Sequence, residues 1–422
     1  MSCVGFNVLP GFVSISCDVR IFFTESGRGC VTRAELITMA RHNMAHTKAG
    51  TIDQEPEVLR VPGHHYYDPE RWQRELERVF KRMPLMLGLS TEFAAPGDFK
   101  SMDVVGVPLF IVRHADGDLR AYINSCSHRG AQVVTETRGN SKRFSCPYHA
   151  WTYDHDGDLV AIYRERDFGS IDKSCKGLTA LPVAERANLV WVTLDPMSTL
   201  DIDTFLCGYD ELLANFGFGS WQVFDTRTID GPNWKIAYDG YMDLYHLSTL
   251  HKATIGTNMS SQALYYAWGP HQRVVSPDPS LLEYESKPES EWSTAHMMAS
   301  VWTIFPHVSI AGFSGGGRSA MISQLFPGET PLESRTVQNY VMQELPATDE
   351  AKEQAVEQFK LLEYVVREED YATGLRQQRA LMSRPNAEVI FGRNEGGGHR
   401  FHGFVERLLQ TEDADLPSLF TK

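Results

Sequence analysis

Two short segments constrain this chain more than any other feature: Cys126-Ser127-His128 and Cys146-Pro147-Tyr148-His149, with residues 129–145 between them. Each places a thiolate and an imidazole on one short loop, and soft thiolates together with imidazoles are metal ligands. A zinc finger groups its cysteines at one end and its histidines at the other. Here each loop carries one of each, so two loops can offer two sulfurs to one metal and two nitrogens to a second.

That donor set is the requirement of a Rieske [2Fe–2S] centre, in which two Cys hold one iron and two His the other. Neutral imidazoles in place of anionic thiolates raise the potential, which suits a one-electron relay. The run "CSHRG…CPYHAW" closely resembles the Rieske motif of ring-hydroxylating oxygenases. A zinc site remains the alternative for these four residues. An electron carrier alone needs only about a hundred residues, whereas the chain continues to residue 422.

A second constellation lies at 233–251, "NWKIAYDGYMDLYHLSTLH". Asp243 and His246 are three apart and share a helical face. His246 and His251 are five apart, so both rings reach one metal only if the helix ends or distorts near Leu250. Two His and one carboxylate form the ligand set of non-haem Fe(II) oxygenases, with positions left open for dioxygen. Taken alone, two histidines on an apolar helix are more often packed core. The Asn-Trp-Lys, Asp, Tyr-His and final His order resembles the iron-binding segment of the same oxygenases. For the carboxylate, helical phase does not separate Glu369 from Asp370, which both flank the stripe of Phe359, Leu362 and Val366. The resemblance of "EEDYATGLRQQRALMS" to the family's Glu-Asp element implies Asp370 as ligand, with Glu369 the fallback and Gln378 the matching glutamine. It also implies that Asp243 bridges His246 to His149 of a neighbouring subunit, with Asp239 tuning Asp243.

Around these motifs the sequence reads as α+β. Asp68-Pro69 is a helix start, and Trp72, Leu76, Val79 and Phe80 predict a helix over 69–82. Strand-rich runs broken by Ala115–Asp118 and by Asp156-Gly157 predict two hairpins, and 188–194 a buried strand. Beyond 200, helices are expected at 204–216, 236–251 and, as one long pattern, 349–382; strands at 221–229, 300–313 and 334–345. Gly396-Gly397-Gly398 reads as a loop, and no Gly-x-Gly-x-x-Gly dinucleotide fingerprint is present. The expected division is a disordered or wrongly included extension at 1–43, an N-terminal helix region at 44–84 packing on the catalytic domain, a Rieske domain at 85–200 and a mononuclear-iron domain at 201–422. Three of the seven cysteines, Cys3, Cys17 and Cys30, fall in that extension; the count is small and odd, against a disulfide scaffold.

The resemblance, running from about 57 to 409, implies the large (alpha) subunit of a Rieske non-haem iron oxygenase: a β-rich Rieske domain beside a helix-grip domain with an antiparallel sheet. Electrons from NAD(P)H would come through a separate reductase, with or without a ferredoxin. The expected reaction is dihydroxylation of an aromatic ring with O2. Monooxygenation, including O- or N-demethylation, is the alternative, and a non-catalytic carrier or zinc-stabilised binding protein the distant one. Met242, Leu247, Val301, Ile304, Phe305 and Phe313 are expected walls of an apolar pocket. A homotrimer, or α3β3 with a small subunit, is implied because the two centres meet across an interface. A net charge of −14 argues against nucleic-acid or anionic-lipid partners. With no apolar run of about 20 residues and no secretory signal, a cytoplasmic protein is expected.

Overall fold

The computed structural model describes residues 28–384 and 386–420. The second half is built on a seven-stranded antiparallel sheet: β1 Gln222–Gly231, β2 Leu264–Trp268, β3 His271–Val275, β4 Val301–Ile304, β5 Val308–Phe313, β6 Ser319–Pro327 and β7 Ser334–Met342, in the spatial order β1-β7-β6-β5-β4-β3-β2. The strands from β2 to β7 follow one another as a meander, each beside its neighbour in sequence, with one long connection, 276–300, between β3 and β4. Only β1 closes from the far side, on β7.

Helices pack on both faces. They are α1 Arg28–Ala49, α2 Pro69–Glu75, α3 Trp234–Met242, α4 Asp349–Tyr364, α5 Ala372–Met382 and α6 Gly396–Gln410. Helix α1 lies against Arg273 on one face, and α3 and α6 lie against Gln272 on the other. Asp68 caps α2 by accepting from the Arg71 N–H, and a π turn prolongs it through Lys81, close to the expected 69–82. The N-terminal region docks through Arg82, which donates to the Leu408 carbonyl at 2.7 Å, and through the Arg71–Glu406 ion pair.

The first half holds a five-stranded antiparallel sheet with the pairing order 180–181, 119–123, 107–113, 98–104 and 138–140, beside a three-stranded one at 144–145, 152–153 and 159–161. Both expected hairpins are present, across 114–118 and 154–158, and Leu189–Val192 is a fully buried strand.

Four readings are corrected. The disordered extension to residue 43 is not what the structure shows from Arg28 onward, because α1 buries Leu36, Met39, Ala40 and Met44 in the main core; Cys3 and Cys17 lie outside the described residues. The helix expected at 204–216 is broken at Cys207 and Gly208, both in left-handed backbone. The helix expected at 236–251 stops at Met242: Asp243 is extended and accepts from the Tyr245 N–H, a local side-chain bond that competes with the helix. A separate turn, Leu247–Leu250, follows. Finally, Gly396–Gly398 is the first turn of α6. A Cβ on Gly397 would sit 2.8 Å from the Met242 carbonyl oxygen at the end of α3, and one on Gly398 would sit 2.4 Å from Phe391, so these glycines serve close packing against two different neighbours.

Candidate metal centres

The two Cys/His loops are near copies of one another. Gly130 N donates to the Cys126 carbonyl and Ala150 N to the Cys146 carbonyl, while Cys126 N donates to Ala131 and Cys146 N to Trp151. Both turns close through left-handed backbone, at Gly130 (φ 77°) and at Ala150 (φ 54°). The first loop is clasped by buried Asn124, whose Oδ1 accepts from Val133 N and Val134 N at 2.8 and 2.9 Å. The second is the tip of the hairpin joining 144–145 to 152–153.

This geometry buries both sulfurs and leaves the imidazoles towards the surface: Cys126 and Cys146 are each 3% exposed, and His128 and His149 half-buried. The two rings lie 4.7 Å apart, with His128 stacked on Trp151. His128 Nδ1 is buried without a hydrogen-bond partner, a costly state for a polar atom that metal ligation would remedy. Burial also pushes the Cys126 thiol up, which disfavours a free thiolate. The Tyr153 hydroxyl lies 3.3 Å from Cys126 Sγ and accepts from Ser127 N at 3.0 Å, so its proton points to the sulfur. The four residues and their shell fit a two-iron cluster.

In the second centre the break at Asp243 brings His246 and His251 to one point. His251 Nε2 lies 3.0 Å and His246 Nε2 3.6 Å from Asp370 Oδ1. One donor atom from each of the three falls within 4.8 Å of the others. The remaining ring nitrogens are held by carboxylates: His246 Nδ1 by Asp243 at 2.9 Å, and His251 Nδ1 by Glu369 at 2.7 Å. Glu369 also accepts from the Thr254 hydroxyl. Burial opposes protonation of His251, yet Asp370 and Glu369 hold its pKa above the ordinary value. Three carboxylates around two imidazoles call for a cation, and a ligating His backed by a carboxylate is the usual support for one.

The Asp370 side is shaped by a π turn, Val365–Tyr371, between α4 and α5. The extra residue widens the helix, as π bulges at functional sites do, and turns Glu369 and Asp370 together to the histidines. Gln378 is buried; it accepts from Asn233 N at 2.7 Å and donates to the Leu332 carbonyl. It thereby fixes the residue whose Oδ1 caps α3. Asp239, expected to tune Asp243, is instead held by His402 Nε2 at 2.9 Å and the Tyr66 hydroxyl at 3.0 Å, because that turn of α3 faces α6. Among the described residues no hydrogen bond joins the four cluster residues to the triad.

The expected apolar walls do not form one lining. Met242, Ile304 and Phe305 belong to the main core, Leu247 packs with Leu244, Ala263, Tyr265 and Val274, and Phe313 lies against the Tyr340 and Phe359 cluster. Sequence reading also missed a polar row. Strand register aligns Gln272, Thr303, Ser309, Ser323, Gln338 and Arg227 across six strands on one face. Half-buried Tyr241 on α3 lies beside Ser323, Tyr371 and Gln338, near the Asp370 charge. Two buried atoms along the row lack partners: Arg227 Nη2 and Gln272 Oε1. Burial lowers the Arg227 pKa to about 10.

Two sites of these kinds, one in a β-rich module and one on a helix over an antiparallel sheet, define a two-centre iron oxygenase. Residues 83–172 match the Rieske [2Fe-2S] domain and residues 218–411 the ring hydroxylating alpha subunit (catalytic domain). The chain belongs to the family of Rieske ring-hydroxylating oxygenase alpha subunits, whose two domains carry a [2Fe–2S] cluster and a mononuclear iron. It is 30% identical over 230 residues to the anthranilate 1,2-dioxygenase large subunit of Acinetobacter baylyi, covering 52% of this chain and 49% of that one. It is 28% identical over 193 residues to the glycine betaine monooxygenase oxygenase subunit of Chromohalobacter salexigens, covering 45% and 43%. The aligned region therefore spans about half the length of these curated relatives. The solved quaternary ammonium Rieske monooxygenase CntA shares the fold, with a TM-score of 0.71 at 21% identity, covering 85% of this chain and all of that one.

Proposed function

We propose that this chain is the oxygenase component of a multi-component Rieske system that oxidises a small organic acid with O2. The observation that carries this is the pairing of the two Cys/His loops with a two-His, one-carboxylate triad in one chain. When bound, the [2Fe–2S] cluster supplies single electrons and the mononuclear iron supplies dioxygen activation. Cys126, His128, Cys146 and His149 would hold the first, and His246, His251 and Asp370 the second. Asp243 and Glu369 orient the two imidazoles. The resemblance to the family supports an oligomeric reading, in which Asp243 faces His149 of a neighbouring copy in a trimer. The reductase or ferredoxin that delivers electrons from NAD(P)H is a separate protein.

The polar row refines the substrate. A hydrocarbon would leave Arg227 Nη2 buried and unpaired, at roughly 1–3 kcal/mol. Glu363 Oε2 lies 3.6 Å from Arg227 Nη1, and a substrate carboxylate on the free Nη2 side would remove that remaining cost. Anthranilate and glycine betaine, named for the two relatives, are both carboxylates. The first reading is dihydroxylation of an aromatic ring bearing an acidic group; the identity to the glycine betaine enzyme favours monooxygenation as the second. No helix among the described residues is long and apolar enough to cross a membrane. The test is turnover of aromatic acids, their decarboxylated analogues and N-methylated acids under labelled dioxygen with a surrogate reductase. Two labelled oxygens in one product support dihydroxylation and one supports monooxygenation. Equal turnover of acids and hydrocarbons, unchanged in Arg227→Gln, removes the acid-substrate reading.

A further inference from the structure

Away from both centres, α1 carries His42 and His46 one turn apart on the same face. Gly50, in left-handed backbone, and the Thr51 N–H to His46 carbonyl bond reverse the chain. The reversal lays Asp53 over the two rings. His42 Nε2 and His46 Nε2 are 3.1 Å apart, and Asp53 Oδ1 is 3.8 and 3.6 Å from them. Ligand atoms about 2.0–2.1 Å from a tetrahedral metal are separated by about 3.3 Å, and the Asp370 site shows comparable gaps of 3.0 and 3.6 Å.

The atoms facing away are each engaged. The Tyr266 hydroxyl donates to the Met39 carbonyl, so its oxygen accepts from His42 Nδ1 at 3.0 Å, which fixes the tautomer with a lone pair on Nε2. His46 Nδ1 pairs with the Thr51 hydroxyl at 2.9 Å. Asp53 Oδ2 accepts from Tyr265 N at 3.0 Å, leaving Oδ1 for the rings. This is the outer shell that orients metal ligands. The site opens onto a cavity of about 590 Å³ lined by Glu35, Glu55, Arg393 and Arg400, which gives room for a water as fourth ligand.

From this geometry we propose that His42, His46 and Asp53 bind a zinc-type divalent cation. It serves as a structural staple between α1 and the segment that follows it, which Asp53 joins to β2, the edge strand of the seven-stranded sheet, through Tyr265 N. Two nitrogens and one oxygen suit Zn2+, Co2+ or Ni2+ and not the all-oxygen preference of Mg2+ or Ca2+. The metal-free alternative is a His46 Nε2–H to His42 Nε2 hydrogen bond.

The test uses the iron-loaded enzyme equilibrated with Zn2+ or with Mg2+ and freed of excess, with metals counted by mass spectrometry. The expected result is one zinc per chain in the wild type and in His246→Ala, at least a tenfold weaker zinc affinity in Asp53→Asn, and loss of that zinc in His42→Ala/His46→Ala with cluster iron unchanged. Zinc should also slow amide exchange at 42–53 and 264–266 in the wild type alone. Zinc retained at wild-type affinity by the double variant, or no zinc in the wild type beyond what His246→Ala removes, overturns the proposal. Since Asp53→Asn keeps the acceptor for Tyr265 N, it separates loss of ligation from loss of folding.

Discussion

Glu75 ties α2 to the N-terminal end of α3, the helix that leads to Asp243, and its removal should be expensive. It is fully buried on α2, with Oε2 against Lys235 Nζ and 2.8 Å from Trp234 Nε1, and with Oε1 accepting from Arg71 Nε at 2.8 Å. Lys235 is itself 1% exposed. Burial lowers the Lys235 pKa, and Glu75 is the chief group opposing that. In Glu75→Gln the ammonium stays buried without a counter-charge, at about 3–5 kcal/mol; Arg71 keeps its second partner, Glu406. Lys235→Met removes the ammonium instead and leaves Glu75 bonded to Trp234 and Arg71, so it should cost less. The pH dependence follows. In Glu75→Gln the folded pKa of Lys235 falls further below its unfolded value of about 10.4. Between the two values the unfolded chain binds more protons, so stability rises with pH. Urea unfolding followed by tryptophan fluorescence should show the Glu75→Gln deficit larger at pH 7 than at pH 9. A deficit under about 1 kcal/mol, or Lys235→Met costing more than Glu75→Gln, would refute the reasoning.

Three other outcomes are expected. Asp370→Ala should lose the mononuclear iron with cluster colour unchanged, whereas Glu369→Gln should retain iron at about 10–100-fold lower affinity; equal losses in iron titration would contradict the division of roles. Tyr153→Phe removes a proton from Cys126 Sγ and should lower the cluster potential by on the order of 40 mV, the equivalent of ~1 kcal/mol for one electron, as read by redox titration. Asp243→Asn should keep both metals yet slow single-turnover oxidation of the reduced cluster, and normal rates would exclude a bridging role.

What the sequence disclosed was what a local motif carries. The Cys/His loops, Asp243, the two iron-site histidines and the hairpins all lie within short windows. The helix periodicity failed where a single side chain overrides it, at Asp243 and at Cys207-Gly208. Phase could not choose between Glu369 and Asp370 because the π turn removes the regular 3.6-residue period there; both face the histidines, one to each side. Asp239 went to His402, 163 residues away, a contact no window contains. The polar row was invisible for the same reason: its six members are scattered from Arg227 to Gln338, and only strand register aligns them. Gly396–Gly398 read as a loop because glycine is a poor helix former, and the close approach to Met242 that requires it is tertiary.

The most direct test counts iron and acid-labile sulfide per chain in the wild type, His149→Ala and His246→Ala. Two sulfides with about three irons are expected in the wild type, two sulfides with about two irons in His246→Ala, and about one iron without sulfide in His149→Ala. A wild-type chain holding zinc and no sulfide, or a His246→Ala chain that keeps its third iron, would contradict the two-centre account.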